Sequence, residues 1–346
     1  GVHGTGHGHA IRALTIARHF AGLGHEFLFV SHGTGADILR REFPVADCPN
    51  PETPIRGHKV DLAAAIYSSL AVRSRSRTYV NRLLQLMERF QPDVALSDYE
   101  YFVPLAARRA GVPCLSVDHQ HVITACRHPV PWSQYFGYLS TAWAIKTFFS
   151  RARDFLVISF FQPQVTPGVR ARIMPPLLRE TVLERRPRDG GHVVAYQGYT
   201  TFQRFLPLLR AIPSPVAVYG FDRAGLDGNL HFKKNSEPGF LDDLSSCRYV
   251  VCGGSHTLIS EALYYGKPVL SFPIQGAFEQ FLNAFYLERL GYGRYYTGFN
   301  PHPEIIPAFE AKLADFDRNL GQQNFCGNPE IFSLVEQFIR TQKLTY

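Results

Sequence analysis

Two kinds of segment alternate along the chain. Short apolar runs at Glu26–Ser31, Asp93–Ser97, Val112–Val117, Phe155–Ser159, His192–Tyr196, Val216–Tyr219, Tyr249–Cys252 and Val269–Phe272 predict strands. Between them, apolar residues return every three or four positions. Ile11, Leu14, Ala17 and Ala21 mark one helix that ends near Gly22–Gly24, and Leu258, Ile259, Ala262 and Leu263 mark another. Ser255 or Thr257 stands near the N-cap of the second, and Gly266-Lys267-Pro268 closes it. Tyr249–Cys252, the Gly253-Gly254 turn, this helix and Val269–Phe272 therefore read as one βαβ unit of a parallel sheet. The last helix carries Ile331, Phe332, Leu334, Val335, Phe338 and Ile339 at helical spacing.

Length turns this succession into an organisation. The 346 residues suffice for two ordinary domains with separate cores. The proline- and arginine-rich stretch Pro175–Arg188 is the expected connection, giving domains over 1–186 and 187–328 and a closing helix over 329–346. Phe155–Ser159 is expected to be the last strand of the first domain. The chain opens at Gly1-Val2-His3-Gly4 as though a first strand preceded it, and no leader is visible. No run of about twenty apolar residues predicts a membrane span. Six cysteines without a CxxC pair or metal-ligand spacing fit reduced thiols in a cytoplasmic protein.

Charge separates the halves. Residues 1–189 hold 23 Lys+Arg against 15 Asp+Glu, whereas residues 190–346 hold 13 against 14. The basic first half suits an anionic partner, or is a solvated face with no partner. Within it, Trp132, Tyr135, Phe136, Tyr138, Trp143, Phe148 and Phe149 lie among Lys146, Arg151 and Arg153. Such a stretch either packs as core or meets a membrane interface at the inner face.

The chemistry-bearing residues gather at predicted strand ends. A strand–glycine–helix turn offers free amides at the positive end of a helix dipole, a place for phosphate. Gly253, Gly254, Ser255, His256 and Thr257 form such a turn. Glu261, two turns along, suits ribose hydroxyls, and Glu279, Gln280 and Asn283 suit a hexose. In the first half, Gly4-Thr5-Gly6-His7-Gly8-His9 precedes a helix. A histidine there is either a helix cap or a general base, with His3, His7 and His9 competing. Asp98, after the Asp93–Ser97 strand, either orients that histidine or caps the next helix. Asp118, His119 and His121, at the end of the Val112–Val117 strand, are expected to line an acceptor site. Two histidines without a third ligand do not predict a metal. Asp315-Phe316-Asp317, an acidic pair in a helical stretch, is read as coincidence.

The pattern Gly253-Gly254-Ser255, Ser260-Glu261-Ala262, Gly266-x-Pro268, Pro273 and Glu279-Gln280-x-x-Asn283-Ala284 resembles the donor-binding half of GT-B glycosyltransferases. The nearest group is that of the lipid-linked peptidoglycan N-acetylglucosaminyltransferase. The resemblance implies an α/β fold of two Rossmann-like domains facing across a cleft, with the closing helix crossing back to the first. It implies an inverting, metal-independent transfer from a nucleotide donor, UDP by family likeness, to a hydroxyl acceptor, with lipid-linked or cell-envelope glycans as candidates. No cofactor and no nucleic-acid partner are expected. Residue by residue, it puts the ribose on Glu261, the diphosphate on the Ser255–Thr257 amides and the sugar on Gln280. Thr200 falls in the loop that meets the distal phosphate, and backbone at Phe240 and Leu241 meets uracil. His9 takes the place of the base and Asp98 that of its partner. The chain departs at Gly253, where plant-type relatives carry a histidine. A 2-epimerase or hydrolase, and a non-catalytic nucleotide-sugar sensor, stay open as alternatives.

Overall fold

The computed structural model describes residues 1–196, 205–221, 223–234, 236–298 and 300–345. These divide into two compact units, one of 1–54, 61–179 and 326–346 and the other of 55–60 and 180–325. The division after Arg179 falls ahead of the expected 186/187 boundary.

In the first unit β1 (Phe29–Ser31) pairs in parallel with β2 (Val45–Asp47). A small antiparallel hairpin of β3 (Ile55–Arg56) and β4 (Lys59–Val60) belongs to the second unit. There the Val60 amide donates to the Gln275 carbonyl at 2.9 Å. The first unit resumes with the parallel strands β5 (Ala95–Ser97), β6 (Cys114–Asp118), β7 (Asp154–Ile158) and β8 (Ala171–Met174). Hence β7 is not the last strand of this sheet, as the sequence had suggested. Arg172 interrupts the apolar run of β8 that would have announced it.

Residues 1–3 join the two strand groups. The Val2 amide donates to the Val30 carbonyl at 2.9 Å, the Asp98 amide to the Gly1 carbonyl at 2.8 Å and the His3 amide to the Asp98 carbonyl at 3.0 Å. The strand order thus reverses about Val2, with β1 on one side and β5 on the other. Open parallel sheets hold ligands at the carboxyl ends of strands beside such a reversal.

The second unit repeats the arrangement. Its strands are β9 (Val193–Tyr196), β10 (Val216–Tyr219), β11 (Gly225–Asp227), β12 (Leu230–Phe232), β13 (Val250–Cys252), β14 (Val269–Ser271) and β15 (Gly293–Tyr295). The order β11-β12-β10-β9-β13-β14-β15 is parallel except for β11. The chain runs outward from β9 in one direction and from β13 in the other, so this reversal lies between β9 and β13. Val193, Ala195, Val218, Val251 and Leu270 are buried in one core with Phe205, Phe272 and Phe309.

The closing helix Asn328–Thr341 belongs to the first unit. It buries Ile331, Leu334, Val335 and Phe338 against Ile16, Phe20, Leu115, Val117 and Leu156, each large side chain contributing about 1.5–3 kcal/mol. Asn328 fixes its start, accepting from the Leu178 amide at 2.8 Å and donating to the Leu178 carbonyl at 2.7 Å. All six cysteines are free thiols, and burial pushes Cys126, Cys247 and Cys252 up to about 12.

Candidate active site

In the first unit a glycine turn leads from His3 into the helix Gly8–Ala21. A Cβ on Gly4 would come within 2.1 Å of the His32 carbonyl oxygen, so only glycine permits this approach. His9 lies in the first helical turn, and Asp98 is the residue after β5. The His9 Nδ1–H donates to Asp98 Oδ1 at 2.7 Å across 89 residues of sequence. Arg12, at i+3 from His9 and so on the same helix face, grips the same carboxylate. Its Nε donates to Oδ2 at 2.7 Å and its Nη2 to Oδ1 at 2.7 Å. Arg12 and Asp98 are buried, while the His9 side chain keeps 13% of its surface. With Nδ1 donating to a carboxylate, the neutral imidazole carries its lone pair on Nε2, the arrangement of a general base. His9 Nε2 has no hydrogen-bond partner among the described residues.

The other two histidines of this turn differ. His7 is the exposed N-cap residue. His3 is buried, its ring 5.2 Å from that of His9. Burial above all holds its pKa well below the usual imidazole range, so it stays neutral. Tyr99 adopts φ +51° and stacks on Phe149 at 3.9 Å, with its ring parallel to His9 at 6.0 Å. A non-glycine residue in this region is a local strain of the kind found beside functional sites. Sequence reasoning missed Arg12. The available signal was a cation three residues after His9, beside the apolar positions Ile11 and Leu14.

The cluster at the end of β6 is closed among its own partners. Asp118, His119 and His121, expected on the acceptor side, are all buried. Asp118 Oδ2 accepts from Ser116 Oγ at 2.6 Å and from His121 Nδ1 at 2.7 Å, and its Oδ1 accepts from the His121 amide at 2.9 Å. His121 Nε2 lies 3.1 Å from Ser150 Oγ, and His119 Nδ1 lies 2.8 Å from the Ile158 carbonyl. Burial alone would raise the Asp118 carboxyl, but the His121 charge and these hydrogen bonds outweigh it and hold it well below the usual range.

In the second unit the turn after β13 leads into the helix His256–Tyr264. Ser255 is its exposed N-cap residue and no side chain caps it, so the first-turn amides are open to an anion. Thr257 is half-buried and the His256 side chain is buried. A Cβ on Gly254 would lie 2.4 Å from the Gln280 carbonyl oxygen, whereas one on Gly253 would meet nothing closer than 3.6 Å. Gln280 Oε1 accepts from the Gly254 amide at 3.3 Å and the Ile274 amide at 3.1 Å, and Asn283 Nδ2 donates to the Gly254 carbonyl at 2.9 Å. Thus Gln280 and Asn283, on the helix Phe278–Arg289, hold the turn in place. Glu279 is half-buried in that helix's first turn, and Glu261 is only 3% exposed.

Phe240 and Leu241 lie inside the helix Glu237–Ser246, where the Phe240 amide donates to the Ser236 carbonyl at 2.8 Å. Both residues, expected to meet a base through their backbone, thus sit within helical backbone. The side chain of Phe240 packs edge-on against Tyr219 at 5.0 Å. The following Asp243 ties the helix down, accepting from Tyr219 Oη at 2.5 Å and Lys233 Nζ at 2.6 Å. Thr200 lies outside the described residues. Among the described residues, no three His, Cys, Asp or Glu side chains gather as for a metal ion, and no helix is long and apolar enough to cross a membrane.

Two units of parallel α/β sheet, each with candidate groups beside a strand reversal, define the GT-B class of fold. Solved structures agree. The chain superposes on the MurG protein of Acinetobacter baumannii with a TM-score of 0.62 at 14% identity, covering 97% of this chain and 100% of that one. It superposes on CalG4, the calicheamicin glycosyltransferase, with a TM-score of 0.62 at 17% identity, covering 98% and 97%. The family model of glycosyl transferase family 1 matches residues 1–313, and the chain belongs to that family. Among its relatives is an uncharacterized glycosyltransferase of Methanosarcina acetivorans, 26% identical over 88% of this chain and 86% of that protein. Another, from Methanosarcina mazei, is 27% identical over 88% and 87%. The protein is therefore a glycosyltransferase, acting between a nucleotide-sugar donor and an acceptor.

Proposed function

We propose that the protein transfers a sugar, with inversion and without a metal, from a UDP donor to a hydroxyl acceptor. The observation that carries the reading is His9, locked through Nδ1 to Asp98 and unoccupied at Nε2. His9 Nε2 takes the proton of the acceptor hydroxyl, whose oxygen attacks the anomeric carbon from the face opposite the leaving group. The bond from that carbon to the diphosphate oxygen breaks, and UDP departs with the electron pair. On the second unit, the amides following Ser255 receive the developing phosphate charge, which takes the place of a divalent ion. Glu261 is assigned to the ribose hydroxyls, while Gln280 and Asn283 act by holding the turn.

The acceptor is assigned to a lipid surface. Trp132 is 90% exposed, Phe136 76% and Trp143 64%, with Lys146, Arg151 and Arg153 exposed on the same stretch. Aromatic rings beside cations suit an anionic membrane interface. This unit also carries the chain's positive excess.

The decisive experiment incubates the protein with a panel of UDP-sugars in EDTA, together with lipid extracts as acceptor, and follows UDP release and the anomeric configuration of the product. Inverted product formed in EDTA and lost in His9→Ala is expected. Retained configuration, or undiminished transfer by His9→Ala, overturns the reading. UDP at about 100 times its Kd is expected to stabilise the fold by about 2.7 kcal/mol.

A further inference from the structure

We infer that Arg12 is a positioning residue for the His9 base, holding Asp98 in register so that its carboxylate fixes Nδ1–H and leaves the lone pair on Nε2. The inference rests on the proposed role of His9, but its test does not. A bare His–Asp pair favours the imidazolium, because the carboxylate stabilises the charged ring. Here the carboxylate is shared. Both of its oxygens accept from the guanidinium at 2.7 Å, in the two-pronged geometry that fixes a carboxylate plane. Arg12 Nη2 also lies 3.2 Å from His9 Nδ1, so two N–H donors converge on Asp98 Oδ1. A proton added to His9 would place a second positive charge beside a buried guanidinium, and that repulsion opposes charging of the ring.

The other groups facing His9 do not replace this effect. His3 is neutral, Tyr99 presents its ring, and His32, beyond His3, has Nε2 3.1 Å from Glu52 Oε1. Among the described residues Arg12 is the cationic side chain that touches the His9–Asp98 pair; the Gly1 ammonium, which also acts on Asp98, donates to the Leu96 carbonyl at 2.7 Å. The exposed Arg18 of the same helix binds Glu42 instead, with Nε 2.8 Å from Oε2.

The test is an NMR titration of the unliganded protein labelled at histidine, with the His9 signal assigned by its loss in His9→Gln. In Arg12→Gln the His9 midpoint is expected to rise by about one pH unit, about tenfold in proton affinity. The acid limb of UDP release is expected to move alkaline by the same amount. Below its midpoint this variant buries a neutral His⁺–Asp⁻ pair, which favours folding there. Arg12→Lys keeps a cation but not the two-pronged grip, and is expected to raise the midpoint by a few tenths of a unit. An unchanged or lowered midpoint in folded Arg12→Gln, or in Arg12→Lys should the glutamine variant not fold, overturns the inference. Failure of the base assignment shows differently, as transfer surviving in His9→Ala while the Arg12→Gln titration shift persists.

Discussion

The first unit holds two histidine–aspartate pairs with the same 2.7 Å contact between Nδ1 and a carboxylate oxygen. His9–Asp98 has a guanidinium on the carboxylate, part of the ring exposed and Nε2 without a partner. His121–Asp118 has Ser116 on the carboxylate, Ser150 at Nε2 and 2% or less exposure at either side chain. On the proposed reading, the same pair serves chemistry in one place and architecture in the other, and the far nitrogen decides which. A base needs an open lone pair within reach of substrate, whereas a buried pair needs every group satisfied.

The comparison breaks most visibly at His9. His9→Ala is expected to lower transfer by about 10²–10⁴-fold, read by UDP release, with a thermal midpoint close to that of the parent. A large stability loss with little change in rate would mean that His9 is architecture after all. His121→Ala is expected to do the reverse. It strands a buried carboxylate and loses about 3–5 kcal/mol, measured by urea unfolding. Acid sharpens that contrast. Because the folded Asp118 carboxyl is held below its ordinary value of 3.8, its contribution is present above that pH and lost as pH falls below it. The parent should therefore weaken between pH 4 and lower values more steeply than the His121→Ala variant, in the same urea titration.

Smaller effects separate the two glycines of the second unit. Gly254→Ala drives a methyl into the Gln280 backbone and is expected to weaken UDP binding by about 1–3 kcal/mol, measured by calorimetry. Gly253→Ala meets only ordinary contacts and is expected to change binding by less than about 0.5 kcal/mol. The smallest effect is expected at Arg18→Ala. The Arg18–Glu42 pair lies on the helix that carries Arg12, but in solvent, and its loss should shift stability by no more than about 1 kcal/mol on thermal unfolding.

Some of the site was legible before any contact was known. The run Tyr249–Cys252 ending in Gly253-Gly254 and followed by helical spacing announced β13, its turn and the helix His256–Tyr264, because each signal lies within a few residues of the next. His9 at a helix start and Asp98 at a strand end were marked in the same way. Arg12 was not marked, since its meaning depends on a carboxylate far along the chain. The closure of the Asp118–His119–His121 cluster went unmarked for a related reason. Polar residues at a strand end suggest a ligand site, but their sequence does not reveal that Ser116, Ser150 and the Ile158 carbonyl already satisfy them. The start of the helix Glu237–Ser246, which takes in Phe240 and Leu241, was likewise not marked.

The sequence by itself determined the succession of strands and helices, the glycine turns and the placing of His9 and Asp98 beside them, for these follow from periodicity and backbone chemistry over a few residues. Only the tertiary structure decided which polar groups remain open and which are closed. Burial and hydrogen-bond partnership are set by residues brought together across the chain, such as His9 with Asp98 over 89 positions. No local pattern records those meetings.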